Sequence, residues 1–339
     1  MAWKPKEKEL TAEEAVEEAI AHLKPFWHGS PPLICGAMVG NKINAQPLDP
    51  SITKGAWFLF FADPTDFSGK FSLAYLREFQ NRYEDSGVKF LWIFRPHYKY
   101  LTLPRTVEQM TKKNQIRVPV VVDDEGHLSA AFGAKELPKV VLLNDGKVMI
   151  NGEGSNWMDG TEAALQKFLR VNDPGLSFLH VFRPMTKFFR DIGHVEFGAG
   201  RGIVITKEGM KPQKVGKVEI TIKGLWVQDE DKIFTSDPTA TVSFTSPGAG
   251  ISLMAQSITR DQEWTSFVIE TNGTPVHELN RGADLGSDDD GRSMLRVEAV
   301  GLYHATSGLP DTTRQITLRF PQAKRVPAGL LGLRFSEAI

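Results

Sequence analysis

The fold of the first half of the chain is decided by residues 55–79, which read GAWFLFFADPTDFSGKFSLAYLREF. Residues 56–61 are a continuous apolar and aromatic run, bounded by a glycine and an Asp-Pro pair, which is typical of a strand buried on both faces. Apolar side chains then recur at steps of three and four at Leu73, Leu76, Phe79 and Tyr83. The stretch therefore predicts a buried strand that leads directly into an amphipathic helix.

The segments that follow alternate between apolar strand-like runs and the apolar spacing of a helix. The pattern predicts further strands at 88–94, 118–122, 140–143 and 147–150, and further helices at 106–114 and 161–169. The last two strands flank Asn144-Asp145-Gly146, a strong signal for a tight hairpin. Because strands and helices alternate, we expect an α/β layer fold over residues 55–171.

The second half has a different character. From residue 217 onward, eight short strand-like runs follow one another without a helical period, separated by turns such as Ser246-Pro247-Gly248 and Asn272-Gly273-Thr274. We therefore expect an all-β sandwich of the jelly-roll kind over residues 217–339.

Two further segments complete the domain organisation. Residues 172–216, which are rich in glycine and proline, are interpreted as a connector between the halves. Residues 1–54 are interpreted as an N-terminal extension with one helix at 11–23, which begins with a capping box of Thr11 and Glu14.

Composition and charge exclude several classes of protein. The chain has 339 residues, of which 41% are hydrophobic and 24% charged, as in folded globular proteins with room for two domains. Its 40 basic and 41 acidic residues give a net charge of −1, so no long-range field attracts nucleic acid. No apolar run approaches the roughly 20 residues of a membrane span. We expect no nucleic-acid partner and no membrane span.

The first twenty residues bear on localisation. They lack the apolar block of a secretory signal. The sequence as it stands predicts a cytoplasmic protein, and a periplasmic or other extracytoplasmic location is the alternative if a signal has been removed.

The single cysteine, Cys35, limits the chemistry that is open to the chain. One thiol cannot form an internal disulfide, a CxxC redox pair or a cysteine-built zinc site. Cys35 lies in an apolar, strand-like context in which free cysteines pack as small hydrophobic residues, whereas an exposed thiol of lowered pKa would be reactive. The acidic turn 286–291 has a glycine at the first ligand position of a calcium loop, which favours a solvated hairpin. We expect no metal and no cofactor.

Four segments of the first half resemble the thioredoxin-like redoxins, a superfamily that includes TlpA-like and AhpC/TSA-like proteins. Tyr75-Leu76-Arg77-Glu78-Phe79 is similar to the YLREW run of the DipZ-type redoxins, and residues 116–123 are similar to their I-R-Y-P-V-x-x-D segment. Leu137-Pro138 falls where the family keeps its cis-proline, and residues 151–154 with Glu162 match the terminal G-E-G…E element. The resemblance implies a thioredoxin-like fold over most of residues 55–170. The second half is similar to the carbohydrate-binding-like β-sandwich that follows the redoxin domain in the same group.

The resemblance fails at the residues that carry the chemistry. In the family, two cysteines stand at the start of the helix, where the helix dipole and free N–H groups stabilise a thiolate. Aligned through residues 75–78, these positions are Asp66 and Gly69. The alternative peroxiredoxin register, which runs through Pro64 and Ser68, places Phe71 at the position of the peroxidatic cysteine. Both registers lose the nucleophile.

Several functions remain open on these residues. The first is a degenerate redoxin that is not a catalyst and binds a protein or peptide at the former active-site face, with candidate binding residues Asp66, Phe67, Ser68, Leu137 and Pro138. Asp66 is also an ordinary helix N-cap. A nucleophilic Ser68 would need a base, for which His97 is the candidate.

Two rival functions use other parts of the chain. One is a redoxin-family antioxidant or thiol oxidoreductase that acts through Cys35 with an external thiol. The other is glycan or cell-envelope binding by the β-sandwich, with Trp264 as the candidate aromatic platform. Trp226 and Tyr303 lie within strand runs and are expected in the core.

Overall fold

A computed structural model of the chain describes residues 38–39, 42–43, 55–98, 101, 104–124, 126–145, 147–154, 158–178, 189–199, 209–215, 217–246, 248, 250–258, 263–309 and 314–338. The helix predicted at 11–23 and the candidate thiol Cys35 lie outside these residues. The chain divides into two compact units, which are Met1–Pro64 with Ser68–Pro184, and Met185–Ile339 with Thr65–Phe67.

The first unit contains a two-stranded hairpin and a five-stranded sheet. The hairpin is β1 (Met38–Val39) and β2 (Lys42–Ile43). The sheet consists of β3 (Ala56–Ala62), β4 (Lys89–Phe94), β5 (Val120–Val122), β6 (Lys139–Asn144) and β7 (Lys147–Glu153). Its order is β5-β4-β3-β6-β7, in which β3, β4 and β5 are parallel and β6 and β7 are antiparallel to their neighbours.

Among the residues that the structure describes, four helices accompany this sheet. They are α1 (Phe67–Tyr83), α2 (Pro104–Lys113), α3 (His127–Ala131) and α4 (Met158–Asn172), and a 3₁₀ turn at Glu84–Ser86 follows α1. The predicted α/β alternation is confirmed. The sequence analysis did not predict α3, because five residues are too few to show a helical period.

The central strand β3 is buried along nearly its whole length, as its apolar sequence predicts. On one face Phe58 meets Phe79 of α1, with ring centroids 5.7 Å apart and edge to face. On the other face Leu59 and Phe61 belong to a hydrophobic cluster that includes Leu128 of α3. Burial of both faces explains why this strand has no polar positions.

The second unit consists of two antiparallel sheets. The larger sheet contains β9 (Gly209–Val215), β10 (Val218–Lys223), β13 (Thr241–Ser246), β15 (Thr265–Thr271), β16 (Thr274–Pro275), β17 (Leu285–Ser287), β18 (Ser293–Val297) and β20 (Arg314–Arg319). It has the order β17-β18-β15-β20-β13-β10-β9, and β16 pairs with β15. A 3₁₀ turn at Glu278–Asn280 follows β16.

The smaller sheet contains β8 (Phe189–Glu196), β11 (Val227–Gln228), β12 (Ile233–Thr235), β14 (Gly250–Ser257), β19 (Gly301–Thr306) and β21 (Ala328–Ala338). Its order is β11-β12-β21-β14-β19, and β8 pairs with β21. One hydrophobic cluster takes side chains from both sheets, including Phe244 and Phe267 of the larger and Phe335 of the smaller. The second unit is therefore rich in β-structure, as the predicted β-sandwich requires, and Trp226 and Tyr303 are in its core as expected.

The connector predicted for residues 172–216 needs correction, because part of it belongs to the sandwich. Strand β8 pairs with β21 along much of its length, and Val195 lies in the core. Strand β9 pairs with β10 at the edge of the larger sheet. Strand β9 contains Pro212, which an edge strand tolerates because one of its sides needs no ladder partner.

Candidate functional site

The candidate site lies at the edge of the first unit's sheet where β3 ends and β6 begins. Phe61 of β3 lies directly opposite Lys139 of β6 in the antiparallel pair. The chain leaves β3 through Asp63 and continues into α1, and it enters β6 through Leu137-Pro138, whose peptide bond is cis. The cis-proline that the resemblance implies is confirmed. The topology brings the end of β3 and the proline loop to the same edge.

The start of α1 carries the residues that stand in place of the family's two cysteines. Asp66 directly precedes the helix, and Ser68 and Gly69 lie in its first turn. Ser68 is exposed, whereas the side chain of Phe67 lies outside the described part of the structure. This turn therefore presents a carboxylate and a hydroxyl, and its sequence contains no sulfur.

His97, the candidate base, follows β4 at the same edge. Its backbone N–H donates to Oδ2 of Asp63 at 2.8 Å, which ties the end of β4 to the end of β3. Its ring packs edge to face on Tyr98, with centroids 4.9 Å apart. These contacts give His97 a structural role at the end of the two strands.

Leu137 is anchored by its side chain and not by backbone hydrogen bonds to the described residues. The side chain packs against the hydrophobic cluster under the sheet. Within the described residues, the N–H and the C=O of Leu137 have no hydrogen-bond partner. The next carbonyl, that of Pro138, accepts from the N–H of Gly154 at 2.9 Å. One donor and one acceptor thus lie side by side at this edge.

An ion pair between a buried lysine and a half-buried glutamate lies beside the proline loop. Lys139, which is only 2% exposed, places Nζ 3.7 Å from Oε2 of Glu153 and donates to the C=O of Gly133 at 3.2 Å. Oε1 of Glu153 accepts from the N–H groups of Lys135 and Glu136 at 2.6 and 2.7 Å. The two side chains therefore contact three positions of the loop 133–136.

The environment shifts the pKa of both members of this pair. Burial lowers the pKa of Lys139, and the attraction of Glu153 offsets only part of that effect. Burial alone would raise the pKa of Glu153, but the N–H of Glu136 and the charge of Lys139 outweigh it and lower that pKa.

Two other carboxylates, in the segments that resemble the redoxins, have structural roles. Asp123 is buried and accepts from the N–H groups of Leu128 and Ser129, at 3.0 and 2.8 Å, and from Oγ of Ser129. It therefore stabilises the start of α3. Glu162 of α4 accepts from Nη1 of Arg82 at 2.5 Å and from Oη of Tyr83 at 2.6 Å. Burial and the bond to Glu162 raise the pKa of Tyr83 to about 12.

In the second unit, Trp264 is half-buried just before β15. The guanidinium of Arg296 lies 4.7 Å from its ring centroid, and Nε of Arg296 is 2.7 Å from Oε1 of Glu298. Arg296 and Glu298 are both exposed. The guanidinium of Arg296, which pairs with Glu298, therefore lies over one face of the indole.

The acidic turn at 286–291 is a hairpin between β17 and β18. Asp288 accepts from the N–H groups of Asp290 and Arg292 and from Nε of Arg292. In the part of the chain that the structure describes, no group of three or more His, Cys, Asp or Glu side chains is placed to hold a metal ion. The helices described are also too short or too polar for any of them to cross a membrane.

The known proteins to which this chain shows similarity are solved structures. No protein-family model matches the sequence, and no curated protein matches it. StoA from Bacillus subtilis is 19% identical, and the match covers 37% of this chain and 98% of StoA with a TM-score of 0.30. The thioredoxin domain of a thiol-disulfide oxidoreductase from Bacteroides vulgatus is 15% identical, with 40% and 95% of the chains covered and a TM-score of 0.31. A thioredoxin-like protein from Porphyromonas gingivalis is 20% identical, with 45% and 96% covered and a TM-score of 0.31.

The class of fold follows from the sheet itself. The order β5-β4-β3-β6-β7, the parallel crossover from β3 through α1 to β4, the antiparallel β6–β7 hairpin and the closing helix α4 define a thioredoxin-like fold. The first unit therefore has a thioredoxin-like fold. A fold of this kind does not by itself assign an activity.

Proposed function

We propose that the first unit is a thioredoxin-fold module without a catalytic sulfur couple, and that it binds an extended segment of a protein or peptide beside Leu137. The observation that supports this proposal is the pair of backbone groups of Leu137, which have no partner among the described residues. An extended segment can pair its own N–H and C=O with such groups, as in strand addition.

The residues at the start of α1 argue against thiol-disulfide catalysis at this edge. Exchange proceeds by attack of a thiolate on a disulfide through a mixed disulfide. The carboxylate of Asp66 forms no such bond, and Gly69 has no side chain. The N–H groups that would stabilise a thiolate are suited instead to a capping aspartate. These residues therefore support binding at this edge rather than thiol-disulfide exchange.

The binding test uses the full-length chain and a phage library of random heptapeptides. Synthetic versions of the enriched peptides are then measured by calorimetry, each with an N-methyl group at the central residue or, as the matched control, at the terminal residue. We expect central methylation to weaken binding at least about tenfold, because it removes a backbone donor worth on the order of 1.4 kcal/mol. No enrichment, or affinity that is indifferent to central methylation, would contradict the proposal.

A second candidate function, glycan binding, belongs to the sandwich. It is supported by Trp264, Arg296 and Glu298, which lie together where β15 begins and β18 ends. An aromatic ring packs on the apolar face of a sugar, while a guanidinium and a carboxylate bond its hydroxyls.

A glycan array tests this second function. It compares the full chain with Trp264→Ala and with Leu279→Ala, whose target is an 85% exposed leucine that serves as the control. Signal that is lost only in Trp264→Ala supports the candidate, and a blank array contradicts it.

A further inference from the structure

The buried ammonium of Lys139 beside the proline loop is costly for a protein to keep, whereas its partner Glu153 is half-buried. Removing an ammonium from water costs on the order of several kcal/mol even after the protein relaxes, and apolar residues of similar size are often equally or more stable in place of a buried ion pair. Lys139 is nevertheless almost fully buried, at a position in β6 whose neighbour across the sheet is Phe61. Packing alone would favour an apolar side chain there.

The contacts of the pair all point to the loop that precedes Leu137. Glu153 accepts from two consecutive backbone N–H groups, those of Lys135 and Glu136. Lys139 donates to the C=O of Gly133 at the start of the same loop. The N–H groups of Gly133, Ala134 and Lys135 also donate to backbone carbonyls, whereas that of Glu136 has only Glu153 as its acceptor among the described residues. The pair therefore ties the end of the loop next to Leu137 to the paired strands β6 and β7.

We propose that Lys139 and Glu153 are positioning residues, which hold loop 133–136 so that Leu137 presents its N–H and C=O in the geometry that an extended segment needs. This inference rests on the proposed function of the first unit. Fixing the loop before binding removes the entropy that its ordering would otherwise cost the complex.

A purely structural role for the pair makes a different prediction. If the pair serves stability alone, then removing both charges changes the free energy of unfolding and leaves the loop and its binding properties intact. If the pair positions the loop, then removing both charges loosens residues 135 and 136 without a loss of global stability.

The test compares wild type with the double variant Lys139→Met/Glu153→Leu in the full-length chain. The matched control is Arg319→Met/Glu270→Leu, which removes an ion pair of 3.0 Å on the other unit. Amide hydrogen exchange of Lys135 and Glu136 is followed by mass spectrometry or NMR, global stability by denaturant unfolding, and affinity by calorimetry with the heptapeptides selected on the wild type.

We expect the amide of Glu136 to exchange at least about tenfold faster in the double variant, with a smaller increase at Lys135, whose N–H also donates to the C=O of Gly133. Peptide affinity is expected to fall at least about fivefold. Global stability is expected to be unchanged or higher, and the control to match wild type. Unchanged exchange and affinity in the double variant would overturn the inference.

A second variant keeps the test decisive if the double variant does not fold. Glu153→Ala removes Oε1, which accepts from both loop N–H groups, and leaves the sequence of β6 unchanged, so the same increase in exchange is expected of it. Failure of the two proposals can be told apart: absence of peptide binding by the wild type refutes the proposed function, whereas unchanged exchange in Glu153→Ala refutes the positioning role.

Discussion

Phe61 and Lys139 lie opposite each other on the antiparallel strands β3 and β6, and this pairing places the end of β3 and the proline loop at one edge of the sheet. Residues 62–64 and Leu137-Pro138 are far apart in sequence, and the register of the two strands places them at the same edge. The account of the first unit as a binding module depends on this edge.

The buried carboxylate of Glu162 gives the first prediction. It is 1% exposed and accepts from both Arg82 and Tyr83, so Glu162→Ala leaves a guanidinium and a phenol without their shared acceptor. We expect the variant to lose about 3 kcal/mol of unfolding free energy. Denaturant unfolding measures the loss, and the exposed Glu84→Ala serves as the control, with a change below about 0.5 kcal/mol. Equal midpoints for the two variants would contradict the assignment.

Tyr83 predicts how stability depends on pH in the alkaline range. Its pKa is raised to about 12 in the folded state, whereas an unfolded tyrosine titrates near about 10. The folded state therefore retains a proton that the unfolded state has lost, so the stabilisation present below pH of about 10 is lost as pH rises toward 12.

Denaturant unfolding at a series of pH values between 8 and 12 measures this dependence. Tyr83→Phe, which has no phenolic proton, is expected to show a smaller loss of unfolding free energy over that range than the wild type. Identical slopes for the two proteins would show that the phenol of Tyr83 does not carry the effect.

A further prediction concerns Asp123, which stabilises the start of α3. Its carboxylate bonds two backbone N–H groups at the start of this helix, and Asp123→Ala leaves them without that acceptor. We expect a loss of about 1–2 kcal/mol, the usual range for a helix cap, and faster amide exchange at Leu128 and Ser129. Asp85→Ala, on an exposed 3₁₀ turn, is the control. A variant as stable as the control would contradict the capping role.

The elements of the fold could be predicted where the local pattern and the tertiary packing agree. Strand β3 is apolar because both its faces are covered, and α1 shows its period because one side packs on Phe58. Helix α3 could not be predicted in this way, since it depends on the side chain of Asp123 rather than on periodicity. The connector was misjudged because β8 and β9 are recognisable by their partners β21 and β10, which local sequence does not show.

Some residues of the candidate site could likewise be predicted from sequence, and others could not. Asp66 and Gly69 can be located from sequence because residues 75–78 resemble the redoxins, and the helix that begins at Phe67 agrees with that alignment. The partnership of Lys139 with Glu153 could not, because it requires the register between β6 and β7, which includes an irregularity between Leu142 and Leu143. A weak signal existed in Lys139 itself, a charged residue between Leu137-Pro138 and an apolar strand.

The central claim is that the first unit has a thioredoxin-like fold but lacks the two redox cysteines. The most direct test of this claim is reduction of insulin disulfides in the presence of dithiothreitol. Three proteins are compared: the wild type, Cys35→Ser, and Asp66→Cys/Gly69→Cys made in the Cys35→Ser background. The account predicts equal background rates for the first two and turnover above background for the third, because the cysteines return to the helix start that favours a thiolate. Turnover by the wild type that disappears in Cys35→Ser would contradict it.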